Sequence, residues 1–197
     1  MSDPTAAGTA PTTIDRDLAD DVVLLDDAGR PVGRASREGV HGAETPLHLA
    51  FSCHLFDSDG RVLLTRRALS KRTWPGVWTN SCCGHPRPGE HPTDAVRRRV
   101  AEELGMNVTG LRLVLPEFRY RAVDASGTVE NELCPVWVGR VDGTPRPNPA
   151  EVVETSWVDW DELVALADSA PALLSPWAVL QLPLLDVEPV TLMRSPS

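Results

Sequence analysis

Short stretches in which apolar and polar residues alternate predict that this chain is rich in strands. Residues 22–25 and a run that begins at Pro31 read as two strands joined by the turn DDAG. Residues 47–56 (LHLAFSCHLF) alternate throughout, so every second side chain falls on the same face. The turn DSDG then leads into a returning strand over residues 62–65.

The second half of the chain continues the strand pattern. Two long strands are predicted over residues 111–123 and 128–140, joined by the turn DASG, and a short strand is predicted over residues 156–158. Residues 66–80 are interpreted as a loop rich in basic and aromatic side chains. Most of the regular structure is therefore expected to be β.

One segment has helical spacing instead. A helix is predicted from Pro92, which suits a first turn, to a stop at Gly105. Its apolar stripe has i, i+4 spacing and consists of Val96, Val100 and Leu104.

Two shorter helices complete the predicted fold. They cover residues 160–167, which Asp159 starts, and residues 175–182. We expect an α/β (α+β) sandwich of mixed β-sheets flanked by helices, in a single domain over residues 20–185. Residues 1–19, rich in Thr, Ala, Pro and Asp, are expected to be a disordered lead-in, and residues 186–197 a tail.

Composition excludes several classes of function. The 197 residues carry a net charge of −9, which argues against a nucleic-acid binder. No apolar run approaches the roughly 20 residues of a membrane span. The N-terminus lacks the basic start and apolar stretch of a secretory signal. We therefore expect a cytoplasmic protein whose four cysteines are free thiols.

Two of those cysteines stand side by side in NSCCGHPRPGE, as Cys82 and Cys83. No CxxC pattern occurs, and adjacent cysteines do not easily reach disulfide geometry. If the backbone is extended there, Cys83 and His85 point to one face and Cys82 to the other. On this interpretation Cys83 is a chemically active thiol and Cys82 is a core residue.

A fixed spacing of glycines and charged residues surrounds the first predicted helix. Its members are Gly84, Glu90, Arg98, Val100, Glu102, Glu103 and Gly105. This spacing closely matches GX5EX7REUXEEXGU, so the chain resembles the Nudix superfamily, in which a loop and a helix set carboxylates around a divalent ion that holds a diphosphate.

Arg99 stands where that pattern has Glu, in the group that binds metal and activates water. The change removes a ligand and favours a protein that binds a diphosphate without cleaving it, since arginine can grip phosphate oxygens. A plainer alternative is that Arg99 and Glu103, four residues apart, form a surface salt bridge.

Two carboxylates lie close together in VENELCPV. Glu130 and Glu132 are two residues apart on a predicted strand, so both point to one face. They are either a solvated sheet edge or, together with imidazoles, a transition-metal site. The candidate imidazoles are His41, His48 and His85, whereas His54 and His91 are interpreted as structural or surface residues.

The basic loop RRALSKRTWPGVWTN offers a place for an anion. Arg67 and Lys71 are either phosphate grips or cations that lie over a packed loop. Trp177, in SPWAVL, is either a core residue or a contact for a cationic substrate.

Seven segments together resemble type I isopentenyl-diphosphate isomerases. They are LHLAF, TRRALSKRTWPGVWTN, CGHP, EELG, FRYRA, VENELCPV and SPW, in the family's order over most of residues 20–180. The resemblance implies interconversion of isopentenyl and dimethylallyl diphosphate by protonation and deprotonation of an alkene.

The resemblance also implies roles for individual residues. Cys83 and Glu132 would handle protons on opposite faces of the substrate, Tyr120 would hydrogen-bond near Glu132, and Trp177 would offer its ring face to a carbocation.

The same resemblance implies two metal sites. Manganese or zinc (Mn2+ or Zn2+) would be held by His41, His48, His85, Glu130 and Glu132. Magnesium (Mg2+) would bridge Glu103 and the backbone carbonyl of Cys83 to the diphosphate. Phosphate oxygens would be held by Arg67, Lys71 and Arg99, with Arg37 in place of the family's usual lysine.

Two other functions stay open at this point. A Nudix-type diphosphate hydrolase is disfavoured by Arg99, and a metal-stabilised binding protein by the presence of an acid–base set. The expected partner is a small diphosphate, with no nucleic acid and no membrane, and the protein is expected to be a monomer.

Overall fold

The computed structural model describes residues 20–186. The predicted lead-in over residues 1–19 and the predicted tail beyond residue 186 lie outside them. The strands are β1 (Asp21–Leu25), β2 (Pro31–Ser36), β3 (His48–Leu49), β4 (Phe51–Phe56), β5 (Val62–Arg67), β6 (Trp78–Thr79), β7 (Cys82–Gly84), β8 (Val108–Leu115), β9 (Arg119–Val123), β10 (Val129–Leu133), β11 (Val136–Val141) and β12 (Val152–Val158). The α-helices are α1 (Pro92–Leu104), α2 (Trp160–Ser169) and α3 (Pro176–Gln181), and 3-10 turns cover Pro171–Leu173 and Leu182–Leu184.

The strands form two mixed sheets. The smaller sheet has the order β2-β1-β3-β10-β9, and the larger has the order β12-β5-β4-β11-β8, with β6 beside β5 and β7 beside β4. Parallel pairs occur at β3/β10 and at β4/β11. The chain crosses three times between the sheets: from β3 to β4 through Ala50 alone, from β8 to β9, and from β10 to β11 through Cys134 and Pro135. Ala50 and Cys134, at two of these crossings, are buried and share one apolar core.

Helices cover both faces of the larger sheet, which confirms the predicted sandwich. On one face Phe51, Cys53 and Leu55 of β4 share a core with residues of α1. On the other face Phe56 shares a core with α2. Both faces of β4 are therefore buried, and its alternation sorts side chains between two cores. Within residues 20–186, no helix has the length and apolar character needed to span a membrane.

Helix α1 begins and ends as its sequence predicts. Pro92 lies in its first turn, where its missing N–H loses no hydrogen bond. Gly105 follows the last helical residue with φ 62°, in the left-handed region that glycine tolerates best. Asp159 caps α2 by accepting from the backbone N–H groups of Asp161 and Glu162.

The two long strands predicted in the second half are wrong, because each is two strands. Residues 111–123 divide at a turn over Pro116 and Glu117, and residues 128–140 divide at Pro135. Proline has no N–H for a strand ladder, so each strand ends there. In both cases the two halves belong to different sheets.

Two further boundaries differ from prediction. The predicted loop over residues 66–80 contains the end of β5 and the short strand β6. The strand predicted over residues 156–158 begins at Val152 and pairs along β5. In both places pairing with a neighbouring strand extends a segment whose own pattern is weak.

Candidate active site

A cavity of about 270 Å³ is lined by side chains from both sheets and from α1. All of the predicted site residues except His48 line it. His48 is fully buried on β3, directly opposite Glu132 of β10 in the parallel ladder. The fold therefore gathers into one place residues that the sequence spreads from position 37 to position 177.

Three histidines and one carboxylate form the candidate metal centre. Ligand atoms of His41, His48, His85 and Glu132 all lie within 4.8 Å of one another. His85 Nε2 is 3.2 Å from Glu132 Oε1, and His48 Nε2 is 3.5 Å from the same oxygen. Nε2 of both His41 and His48 is buried without a hydrogen-bond partner. Unpartnered imidazole nitrogens around one carboxylate fit a transition metal.

The electrostatics of His41 and Glu132 in this cluster suit metal binding. Burial, helped by the neighbouring histidines, lowers the pKa of His41 to about 4, so its imidazole is neutral as a ligand must be. Burial raises the pKa of Glu132, but the close imidazoles of His48 and His85, 3.5 and 3.2 Å from its Oε1, outweigh burial and bring the pKa below its usual range. Glu132 is therefore ionised.

Glu130 stands beside this cluster rather than in it. Thr73 Oγ1 donates to Glu130 Oε1 at 2.7 Å, and the Tyr120 hydroxyl donates to Oε2 at 2.7 Å. Burial and the charge of Glu132 raise the pKa of Glu130. The structure thus groups four of the five predicted transition-metal ligands and gives Glu130 neutral hydrogen-bond donors instead.

Cys83 lies on β7 opposite Ser52 of β4. Its thiol donates to Asn80 Oδ1 at 3.2 Å, and Ser52 Oγ lies 3.5 Å from its sulfur. Burial raises the pKa of Cys83 to about 12, so the group is a neutral thiol. Cys82 packs in the apolar core under α1, as predicted, and also borders the cavity.

Trp177 is both a core residue and part of the cavity wall. Its Nε1–H donates to Asn80 Oδ1 at 2.9 Å, which fixes the plane of the ring. The guanidinium carbon of Arg67 lies 5.4 Å from the ring centroid. The indole therefore already holds one cation, and the two alternatives from the sequence are compatible.

Three of the four cations predicted to bind phosphate surround Glu151, a residue that the sequence analysis did not identify. Lys71 and Arg99 form ion pairs with Glu151, and Arg37 Nη2 lies 3.9 Å from the same carboxylate. Arg99 also pairs with Glu103, buried on α1 rather than exposed. No short motif marks Glu151, because only the tertiary fold brings its loop to the cavity.

Other neighbours of Cys83 were also missed. Asn80 and Ser52 are buried polar residues that read as ordinary strand and loop positions in the sequence. Asn80 Nδ2 donates to the backbone carbonyls of Cys53 and Cys82, so its Oδ1 is turned toward the thiol. The only available signal was the alternation of β4, which puts Ser52 on the face opposite Cys53.

Gly84 is the first residue of the GX5EX7REUXEEXGU pattern, called the box from here on, and it allows Arg99 to pass close to β7. A Cβ there would lie 2.8 Å from Arg99 Cγ and 3.1 Å from the ring of Phe51. Glu90 and Arg98 make two short hydrogen bonds, at 2.7 and 2.8 Å, that tie the loop to α1. These contacts hold the loop against α1 and so fix the positions of Arg99 and Glu103.

The fold, the box and the acidic and basic cavity define a NUDIX-domain protein. The family model described as NUDIX domain matches residues 46–178. Among solved structures, DR0079 from Deinococcus radiodurans is similar with a TM-score of 0.61 and 23% identity, over 81% of this chain and 96% of that one. A MutT protein from Methanosarcina mazei has a TM-score of 0.56 and 22% identity, over 71% and 93%. At these identities the likeness supports the fold alone.

Similar proteins of known name place the chain in a narrower family among the NUDIX-domain proteins. The isopentenyl-diphosphate Delta-isomerase of Mycolicibacterium vanbaalenii is 61% identical over 86% of this chain and 93% of its own length. The enzyme of the same name from Frankia alni is 61% identical over 84% of this chain and 86% of its own. The chain belongs to the isopentenyl-diphosphate Delta-isomerase family.

Proposed function

We propose that this protein is an isomerase that interconverts isopentenyl diphosphate and dimethylallyl diphosphate. One observation carries the proposal: a neutral, half-buried thiol, Cys83, and an ionised carboxylate, Glu132, line the same cavity as a group of cations. An alkene shift needs one group that gives a proton and one that takes a proton. The cations supply a place for the diphosphate.

The reaction is balanced within the substrate. A proton adds to one carbon of the double bond, the alkene electron pair forms the new C–H bond, and a tertiary carbocation develops. A proton then leaves the carbon on the other side of the cationic centre, and its bonding pair becomes the new double bond. Cys83 and Glu132 serve as the two proton-handling groups and exchange roles when the reaction runs in reverse.

Two aromatic residues support the pair. Tyr120 donates to Glu132 at 2.9 Å and holds its carboxylate in place. The ring of Trp177 faces the cavity and offers its π electrons to the developing carbocation, as it now does to Arg67. Because both residues are buried, water is kept from the cation.

Metals would complete the site. We propose that His41, His48, His85 and Glu132, with Glu130 adjacent, hold Mn2+ or Zn2+, whose charge would tune the acidity of Glu132. Glu103 and the carbonyl of Cys83 would hold Mg2+ with the diphosphate, whose charge it would neutralise. Arg37, Arg67, Lys71 and Arg99 would bind phosphate oxygens. The four free cysteines support a reducing, cytoplasmic setting.

A diphosphate hydrolase is the competing function, and Arg99 weighs against it. Its guanidinium contacts both Glu102 and Glu103. These box carboxylates are thus partly neutralised by a cation where a hydrolase needs a further carboxylate to bind metal and activate water.

The experiment is to incubate the purified protein with isopentenyl diphosphate and Mg2+ and to follow organic product and phosphate in the same sample. We expect dimethylallyl diphosphate to accumulate to equilibrium without phosphate release. Phosphate release without the isomer would contradict the proposal and favour the hydrolase. Binding without either product would favour a binding protein.

A further inference from the structure

Glu151 occupies the centre of the cation group. Its Oε1 lies 3.3 Å from Arg99 Nη2 and 3.9 Å from Arg37 Nη2, and its Oε2 pairs with Lys71. Its side chain is only 15% exposed and lines the cavity. Three of the four cations assigned to the diphosphate therefore already share one protein carboxylate.

The backbone holds this carboxylate in place. The N–H of Glu151 donates to Asn148 O at 2.9 Å, and its carbonyl accepts from Ala68 N at 2.9 Å. The N–H of Asn148 in turn donates to the carbonyl of Glu103 at 2.8 Å, which fastens the loop to α1. Glu151 is thus fixed at the site, whereas Lys71 and Arg37 reach it with long flexible side chains.

A carboxylate in this position has two opposite effects on the affinity for a diphosphate. It orders long cationic side chains before the substrate arrives, which lowers the entropy lost on binding. It also repels the incoming phosphates and competes for the same N–H donors. Charges a few ångströms apart in a partly buried site repel each other strongly. The free energy of this repulsion is larger than the free energy gained by ordering a few side chains in advance.

We propose that Glu151 is a built-in competitor for the diphosphate, whose carboxylate occupies the place among Arg37, Lys71 and Arg99 that a phosphate oxygen takes when substrate binds. The inference rests on the diphosphate site of the proposed function. Glu151 is a positioning residue that sets affinity for substrate and speeds release of product. It takes no part in proton transfer.

The test is calorimetric binding of Mg2+-pyrophosphate to the metal-loaded protein and to Glu151→Gln, which keeps the shape and loses the charge. We expect Glu151→Gln to bind roughly tenfold tighter or more. Its KM for isopentenyl diphosphate should fall by a similar factor while kcat does not rise. A purely structural residue would instead weaken binding when replaced.

Two further variants make the result specific. Glu154→Gln removes the same charge from the neighbouring strand β12, where the carboxylate pairs with the exposed Arg66 at 3.2 Å, and should leave binding unchanged. Glu151→Asp keeps the charge and should bind no tighter than the parent protein. Glu151→Ser replaces the Gln variant if that variant folds poorly.

The outcomes separate this inference from the proposed function. If the parent protein binds pyrophosphate and the neutral Glu151 variants bind equally or more weakly, Glu151 is not a competitor and this inference alone fails. If the parent protein does not bind pyrophosphate, the diphosphate site itself fails and the role of Glu151 fails with it.

Discussion

Tyr120 and Glu132 are directly opposite residues on β9 and β10, and the tyrosine hydroxyl lies 2.9 Å from the carboxylate. The same hydroxyl lies 2.7 Å from Glu130. One phenolic proton therefore serves two buried carboxylates. This shared donor connects the proton-handling carboxylate to a neighbour that the metal cluster does not include.

Replacing Tyr120 by Phe tests that connection. The ring still packs near Trp177, at 5.8 Å between centroids, so the fold should be kept. Loss of the hydroxyl leaves both carboxylates without their shared donor, and we expect kcat to fall roughly 10–100-fold with little change in KM. Steady-state kinetics and metal content should be measured together. An unchanged kcat would contradict the role of Tyr120.

Metal content tests the histidine cluster. We expect about one tightly held transition metal per chain, as a site with three imidazoles and a carboxylate holds one ion. Elemental analysis should show that His85→Ala and Glu132→Gln lose the metal. His91→Ala, at an exposed histidine outside the cluster, should keep it. Active protein without transition metal would refute the site.

The pH dependence of stability should report on His54. This histidine is fully buried beside Gln181 and Trp160, and burial lowers its pKa from 6.5 to about 4. Below pH 6.5 the unfolded chain takes up a proton that the folded chain refuses. The free energy of unfolding should therefore fall as the pH drops from 6.5 toward 4, by up to about 3 kcal/mol from this group.

His54→Gln isolates this contribution, because its amide nitrogen can reach the place of Nε2 without titrating. Urea unfolding at several pH values should show a shallower loss of stability below pH 6.5 in the variant than in the parent protein. His91→Gln serves as the matched control at an exposed histidine. Equal slopes for His54→Gln and the parent protein would mean that folding does not lower the pKa of His54.

Sequence patterns predicted those elements well whose start, end and buried face are all determined by residues of one segment. Helix α1 follows from Pro92, Gly105 and the i, i+4 stripe, all read within fourteen positions of one another. The long strands over residues 111–123 and 128–140 were wrong because alternation continues through a chain that changes sheet. Pro116 and Pro135 were the local signals that mark those changes.

The site was predictable where motifs name residues and unpredictable where the fold brings unmarked residues together. The cavity contains the predicted thiol, carboxylates and cations, since their segments match a family over most of the chain. Glu151 lies outside those segments, and Asn80 ends the segment TRRALSKRTWPGVWTN with no role assigned to it. The importance of the two residues follows from three ion-pair partners and one thiol contact. Those contacts come from loops that meet only after folding.

The most direct test of the account compares the two adjacent cysteines. Both residues border the cavity, but Cys82 packs in the apolar core under α1, whereas the Cys83 thiol donates to Asn80 Oδ1, which also accepts from Trp177. Isomerisation of isopentenyl diphosphate should be measured for Cys83→Ala and Cys82→Ala, with unfolding curves for both. We predict that Cys83→Ala lowers kcat by roughly 10²–10⁴-fold and that Cys82→Ala keeps most of the activity. Equal loss in two folded variants would contradict the assignment of Cys83 as a proton-handling group.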